Sequence, residues 1–494
     1  MAYALPELST GLTPAVDPSR VPARSLRRPS ATMLALTLLS GLPLGAAVAV
    51  KPIAGVFVVV AVAVALVLVE RPQAAVYLMV AVAPACAGLK RGLVVPGLRV
   101  SEVTVAGLAT LVIVFAPRIR APSWTRVEIM LLLYAAATAI LGGVDLAMRH
   151  APLNGTELGT LLGPVQFVLL LRAVIVALPQ ELERVKAAHF MLGAAAIVGL
   201  ISLLQFGNIG PTRSILESIT GSELFEGGLA EGVGRVTGPF NIWHELAGFL
   251  MPSILLSTAF LLNANSTRAR LRYGAVVAIT GAALMSTVTI GPLIATALGV
   301  IYLCWKRGVL HVFLTALVPI ALIAVIAFGG SLSGRASQQY SVSSNSYRIP
   351  LVPQSISYRY AIFREQSAPA LAGRWLSGYG PDLPIQLTLG NFPYTETAYI
   401  TLLLRGGVPL LGIFVLLLLV VGRASRRAQR IAQSDFEWSV ATVVLIMTVS
   451  YLVLQFIESY LLDSGPPHAY WAVVGLMLAA STGAGRHRSQ DAQC

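Results

Sequence analysis

The chain has 494 residues, of which 56% are hydrophobic and only 12% charged, with a formal net charge of +13. Soluble domains carry roughly a quarter charged residues, so this composition excludes an ordinary water-soluble fold. The positive charge does not read as nucleic-acid binding, because no basic stripe with interleaved aromatics and no soluble module carries it.

Apolar runs long enough to cross about 30 Å of hydrocarbon recur along the chain, and the fold class they predict is all-α, a polytopic transmembrane helical bundle. Residues 1–30 are polar, proline-rich and basic at Arg20, Arg24, Arg27 and Arg28, and read as a retained cytoplasmic tail rather than a cleaved signal. Helices are expected at 32–50, 53–69, 74–88, 102–116, 127–147, 158–178, 188–207, 243–262, 273–289, 291–305, 309–328, 395–421, 438–458 and 467–483. Lys51 and the Gly291-Pro292 pair are the weak joints, so the fourteen candidates could reduce to twelve spans.

The layout is therefore a tail (1–30), membrane helices with an outer loop near 208–240 (31–328), a large extracytoplasmic loop (329–394), the last helices (395–484) and a short cytoplasmic tail (485–494). Basic short loops set the orientation: Arg118, Arg120 and Arg126; Arg184 and Lys186; Arg268, Arg270 and Arg272; Lys306 and Arg307; Arg423, Arg426, Arg427 and Arg430 all fall on one side. Both termini are then cytoplasmic and the two long loops face outward, with Lys90, Arg91 and Arg99 on the outer side against the rule. Cys86 and Cys304 lie in or beside apolar spans and Cys494 is terminal, so no disulfide framework or metal-ligand spacing is available.

Three stretches concentrate polar chemistry. GRVTGPFNIWHELAGFL, Gly234 to Leu250, places Arg235 before a helix and His244 and Glu245 in its first turns. A helix N-terminus favours anions, so Arg235 is a candidate phosphate contact and His244 a candidate base. A snorkelling arginine backed by a satisfied histidine would give the same residues. ISYRYAIFREQSAPALAGRWLSGYGPD carries Arg359, Arg364 and Arg374. The first two are five apart, about 140° around a helix, so one is expected to face a pocket and the other solvent or Glu365. Guanidinium groups bind phosphate oxygens in a fixed fork, although any single arginine here also fits a solvated loop charge.

NFPYTETAYITLLLRGGVPLLGIF returns the chain to the membrane with Glu396 at its mouth, Tyr399 nearly one turn on, and Arg405 two turns into apolar sequence. A partly desolvated Glu396 could serve as general base, or could simply favour a helix N-terminus. Arg405 needs a partner or a water-filled cavity. Asp145, Arg149, His150, Glu157, Glu458, Asp463 and His468 are weaker candidates near the outer side, and Arg172 reads as snorkelling. No GxxxxGK[ST], HExxH or nucleotide-binding GxGxxG is present, which removes support for ATP, zinc and dinucleotides.

At these three stretches the sequence resembles the O-antigen ligase and O-antigen polymerase superfamily of bacterial membrane glycosyltransferases. RVTGPFNIWHELAGFL looks like the family's Arg, glycine-containing turn and polar helix start; YRYAIFREQSAPALAGRWLSGYGPD and ETAYITLLLRGGVPLLGIF look like its outer loop and the helix that follows. The resemblance covers most of 200–425. It implies transfer or polymerisation of a glycan from an undecaprenyl-pyrophosphate donor to a glycan or lipid acceptor, at the outer face of the bacterial inner membrane. No cofactor, metal or nucleotide is implied. Membrane lipids and other polysaccharide export proteins would be partners.

Arg235 and Arg359 fall where the family holds the pyrophosphate, with Arg364, Arg374, Arg405 and Tyr399 as further substrate contacts and Glu396, then His244, as the base. Two positions depart: Glu396 stands where ligases tend to carry His, and Ile290 where a Ser-Arg run would put Arg. A flippase for lipid-linked oligosaccharide is the main competing reading; a peptidoglycan-type glycosyltransferase and a non-catalytic scaffold are others.

Overall fold

The computed structural model describes residue 68 and residues 71–93, 98–115, 122–150, 155–221, 235–311, 352–381 and 397–491, with a few isolated residues between 314 and 337. The helices expected at 32–50, 53–69 and 309–328 fall largely outside them, as do Asp382 and Glu396. Val67–Cys494 forms one compact unit; Met1–Leu66, the other, lies outside the described residues.

The described residues are helical, with no strand among them. In chain order they form α1 (Pro72–Ala85), α2 (Val100–Phe115), α3 (Arg126–Met148), α4 (Gly155–Ala177), α5 (Glu181–Phe206), α6 (Thr212–Thr220), α7 (Trp243–Leu262), α8 (Thr267–Ser286), α9 (Ile290–Lys306), α10 (Gln354–Ile362), α11 (Ala398–Ile431), α12 (Asp435–Leu454) and α13 (Pro466–Asp491). Six of these, α3, α4, α5, α7, α11 and α12, are long and apolar enough to cross a membrane; α1, α2 and α9 are apolar but shorter. The chain is a multi-pass helical membrane protein. In lipid every backbone polar group must be satisfied internally, which is why the apolar runs became helices.

α7 and α13 form the centre. α7 is buried from Glu245 to Phe260, and α13 from Pro466 to Ala480. Around them pack α4, α5, α8, α9 and α12, while α11 joins α3 to α12. Without a hydrophobic drive between helices in lipid, close packing and shared hydrogen bonds hold the bundle. The Tyr451 hydroxyl donates to the Gly248 carbonyl at 3.0 Å, and the Tyr470 hydroxyl lies 2.9 Å from Thr448 Oγ1, tying α12 to α7 and α13. At Gly475 an added Cβ would meet the Val174 side chain at 3.0 Å, so the glycine sets how closely α13 approaches α4.

Helix alternation puts the basic turns at one end of the bundle. There Arg184 pairs with Glu437 at 3.1 Å and Arg307 with Asp435 at 2.8 Å. Arg172 does not snorkel: it meets Glu128 at 3.2 Å, donates to the Pro122 carbonyl at 2.9 Å and stacks on Trp124. Glu128 also closes a capping box with Thr125 at the start of α3. Arg172→Ala leaves that buried carboxylate without its cation. Breaking such a pair costs about 3–5 kcal/mol; the Thr125 amide that still serves Glu128 reduces this to about 2 kcal/mol. The check is the thermal unfolding midpoint of detergent-solubilised protein, with Arg172→Lys recovering part of the loss.

Two connections differ from their expected form. The 208–240 loop contains α6, ended by Gly221 in the left-handed region. The Gly291-Pro292 pair breaks nothing; α8 and α9 are separate helices that turn at Thr287–Thr289, and Gly291 and Pro292 sit in the first turn of α9, where proline is tolerated.

Candidate functional site

At the opposite end, α7 begins where the Gly238–Ile242 turn forces the chain round. Gly238 has φ +55°, and an added Cβ would lie 2.5 Å from Ser202 Oγ. Gln205 at the end of α5 holds this turn: its Oε1 accepts from the amides of Thr237 and Gly238 at 3.1 and 2.8 Å. Glu245 then folds back, accepting from the Asn241 amide at 3.2 Å, while its other oxygen accepts from the Ser464 amide at 3.3 Å. One carboxylate thus fixes the α7 start and the α12–α13 loop together.

That junction places His244 against the loop. Its Nε2 lies 3.3 Å from Asp463 Oδ2 and its Nδ1 3.9 Å from Glu458 Oε2. Arg359, from α10 in the large loop, sets Nη2 3.3 Å from the same Glu458 oxygen and donates Nη1 to the Ser355 carbonyl at 2.8 Å. Ser459 Oγ donates to Asp463 Oδ1 at 2.9 Å. Tyr460 sets its ring edge against His244. Burial, reinforced by Glu458 and Asp463, pushes its phenol well above the usual range, so it stays protonated. Three regions remote in sequence, near 244, 359 and 458–463, converge here.

Further cations border the cluster. Arg99 is pulled below the usual arginine pKa by burial, opposed chiefly by Glu245 and also by Asp463. Arg91, another basic residue of this region, pairs with Glu102 at 3.0 Å. Arg405 lies within electrostatic reach of Asp463 and Tyr134, and its Nε is buried with no hydrogen bond among the described residues. Arg235 stacks on Trp243, the neighbour of His244, at 4.5 Å and donates to the Val288 carbonyl at 3.1 Å.

The remaining predicted residues are not drawn in. α10 runs into a π-helical turn, Phe363–Ser367, and there Arg364 is exposed, on the solvent side as its spacing from Arg359 suggested. Arg374 belongs to a second cluster, 3.6 Å from Asp145 and over the Tyr379 ring, where Arg149 bonds both Asp145 and the Tyr379 carbonyl. The Tyr399 hydroxyl is spent on the Leu452 carbonyl at 2.6 Å, and its ring packs on Phe456. Glu396 lies outside the described residues. Thr397 after it caps α11, and the Ala398 amide donates to the Gln455 carbonyl at 3.2 Å, three residues before Glu458. The guanidinium groups are thus split between two clusters rather than gathered in one.

No protein-family model matches the chain, and no curated protein matches it. The resemblance to O-antigen ligases and polymerases rests on the quoted motifs alone.

Sequence reasoning underweighted Glu458 and Asp463 and missed what Gly406 and Gly407 do. α11 is broken there, Gly407 having φ +65° and ψ −166°. The freed backbone groups bond to the large loop: the Tyr379 and Gly380 amides donate to the carbonyls of Leu404 and Arg405 at 2.6 and 3.0 Å, and the Val408 amide donates to the Trp375 carbonyl at 2.7 Å. Irregular backbone at membrane depth must be satisfied by protein, and the Trp375–Gly380 turn supplies it. The paired glycines in both GYG and RGGVP were the available signal.

The arrangement brings one fixed guanidinium charge, an imidazole and a set of carboxylates together at the edge of a bundle whose interior is apolar.

Proposed function

We propose that the protein is a glycosyltransferase of the O-antigen ligase or polymerase type, acting at the outer face of the bacterial cytoplasmic membrane on an undecaprenyl-diphosphate-linked glycan. The observation that carries this reading is the meeting of Arg359 from the outer loop with Glu458 and His244 at the bundle's less basic end. A diphosphate leaving group accumulates charge as the glycosidic bond breaks. Preorganised guanidinium groups in a partly dry site stabilise that charge. Arg359 and Arg405 are assigned this role, with Arg235 at the margin.

The acceptor hydroxyl gives its proton to Glu396, with His244 as the second candidate. The polyprenyl chain lies along the lipid-facing helices and the sugars lie outside. A flippase would need charged residues along a path through the bundle, whereas α7 and α13 pack an apolar centre between the two polar ends.

Deleting the gene and sizing the surface glycan tests the assignment. Loss of long chains with single units retained identifies a polymerase, and unattached lipid-linked chains identify a ligase. An unchanged glycan profile contradicts the proposal.

A further inference from the structure

We infer that the last turns of α11 form a binding surface for the headgroups of anionic phospholipids. α11 ends in RASRRAQRI, and on a helix that turns about 100° per residue Arg423, Arg426, Arg427 and Arg430 fall within an arc of about 100°. All four are exposed. The opposite face holds the helix in place: Val421 and Ser425 are fully buried, and beside them Gln429 donates from Nε2 to Thr442 Oγ1 of α12 at 2.8 Å. The stripe is therefore charge on a fixed, one-sided support.

Charge that only orients a chain across the bilayer needs no such geometry. Other arginines at this end are engaged within the protein. Arg184 and Arg307 pair with Glu437 and Asp435, Arg270 donates to the Ala264 carbonyl at 2.9 Å, and Arg272 donates to the Tyr273 hydroxyl at 3.0 Å. Among the described residues, no ion pair or side-chain hydrogen bond engages any of the four on α11. The carboxylates nearest to them in sequence, Asp435 and Glu437, are the ones already paired.

The residues before the stripe indicate what covers it. Leu416 and Leu419 are 45% and 43% exposed, and their helical positions put them on the same face as the arginines. α11 is long and apolar enough to span a membrane, so this leucine face meets acyl chains. From Leu419 to Arg423, about 6 Å along one face, the surface changes from aliphatic to cationic, as a phospholipid changes from chain to phosphate. Arg423 also lies about 24 Å along the helix from the break at Gly407, near the depth where a hydrocarbon layer of about 30 Å gives way to headgroups.

Guanidinium forks match phosphate oxygens, and cations just beyond a membrane span attract anionic lipid. A soluble acidic protein fits less well, because the face it would need begins inside the bilayer. The inference stands apart from the proposed glycan transfer, whose residues lie at the other end of the bundle.

The test follows thermal unfolding of full-length protein in uncharged detergent as short-chain phosphatidylglycerol, phosphatidylcholine with the same chains, or inorganic phosphate is added. Phosphatidylglycerol is expected to raise the wild-type midpoint at concentrations about tenfold or more below those phosphatidylcholine requires, and about 0.5 M NaCl should remove most of the difference. Arg423→Gln, Arg426→Gln, Arg427→Gln and Arg430→Gln combined should weaken the phosphatidylglycerol response about tenfold or more. The same four positions changed Arg→Lys should keep most of it, and Arg364→Gln, exposed in the large loop, should leave it unchanged. Gel filtration and the midpoint without lipid show that each variant is folded.

Equal wild-type responses to the two lipids, or an undiminished phosphatidylglycerol response in the four-glutamine variant, overturns the inference. Equal protection by inorganic phosphate at the same concentration would mean a free-anion effect and overturns it too. So does a wild type that prefers neither lipid and instead holds an acidic protein through these arginines.

Discussion

On the proposed reading, Arg359→Ala lowers glycan transfer by about a hundredfold or more while the protein still inserts into the membrane, the loss expected when one preorganised charge-stabilising donor is removed. The substitution acts twice. It removes a fixed charge from the place assigned to the diphosphate, and it strips Glu458 of its partner at 3.3 Å, leaving that carboxylate beside His244 and Asp463. Arg359→Lys keeps the charge but not the planar fork, so it recovers the ion pair better than the activity. Arg364→Ala, five residues on and exposed, changes transfer by less than about twofold because its charge stands in solvent. The comparison is made with purified variants at matched protein levels. Equal losses in Arg359→Ala and Arg364→Ala would mean that the large loop acts through its overall charge.

Gly407→Ala destabilises the protein by about 4 kcal/mol, enough to abolish accumulation of folded protein. A backbone at φ +65° and ψ −166° is open essentially to glycine alone and costs a side-chain residue about 1–3 kcal/mol. The added Cβ would also fall 2.4 Å from the Trp375 carbonyl oxygen, a backbone atom that cannot rotate away. Relief requires the Trp375–Gly380 turn to lift, which breaks the hydrogen bonds that satisfy the interrupted helix. Gly412→Ala, on the same helix with open space around it, is neutral or slightly stabilising, since alanine is the better helix former. Thermal unfolding in detergent separates the two. A Gly407→Ala protein as stable as wild type would show that the loop is not anchored at the break.

The helices were legible because lipid leaves the backbone one solution and the apolar runs are long. α7 has the expected bounds, Trp243–Leu262, since a glycine-proline turn precedes it and polar residues follow. Some ends fell short of the expected run, as at Ala85, Ser286 and Leu454, and others ran past it. α5 begins at Glu181 rather than 188, carried by a polar first turn with its own capping box, and α11 runs on to Ile431 through Arg423, Arg426, Arg427 and Arg430.

The candidate site was half legible. His244 and Arg359 could be singled out because charge near a membrane edge is costly. Their partners could not be ranked: Glu458 and Asp463 lie more than 200 residues from His244, and no local periodicity links the two segments. Arg374 was expected to join Arg359 as a further substrate contact from the same stretch. Only the fold separates them, sending one to Glu458 and the other to Asp145.

The most direct measurement reconstitutes the purified protein in vesicles with an undecaprenyl-diphosphate-linked oligosaccharide and follows release of undecaprenyl diphosphate together with growth or transfer of the glycan. The account predicts release with wild type and its near-complete loss with Arg359→Ala. Glycan that crosses the bilayer with its diphosphate bond intact, and no release at any acceptor concentration, would contradict it.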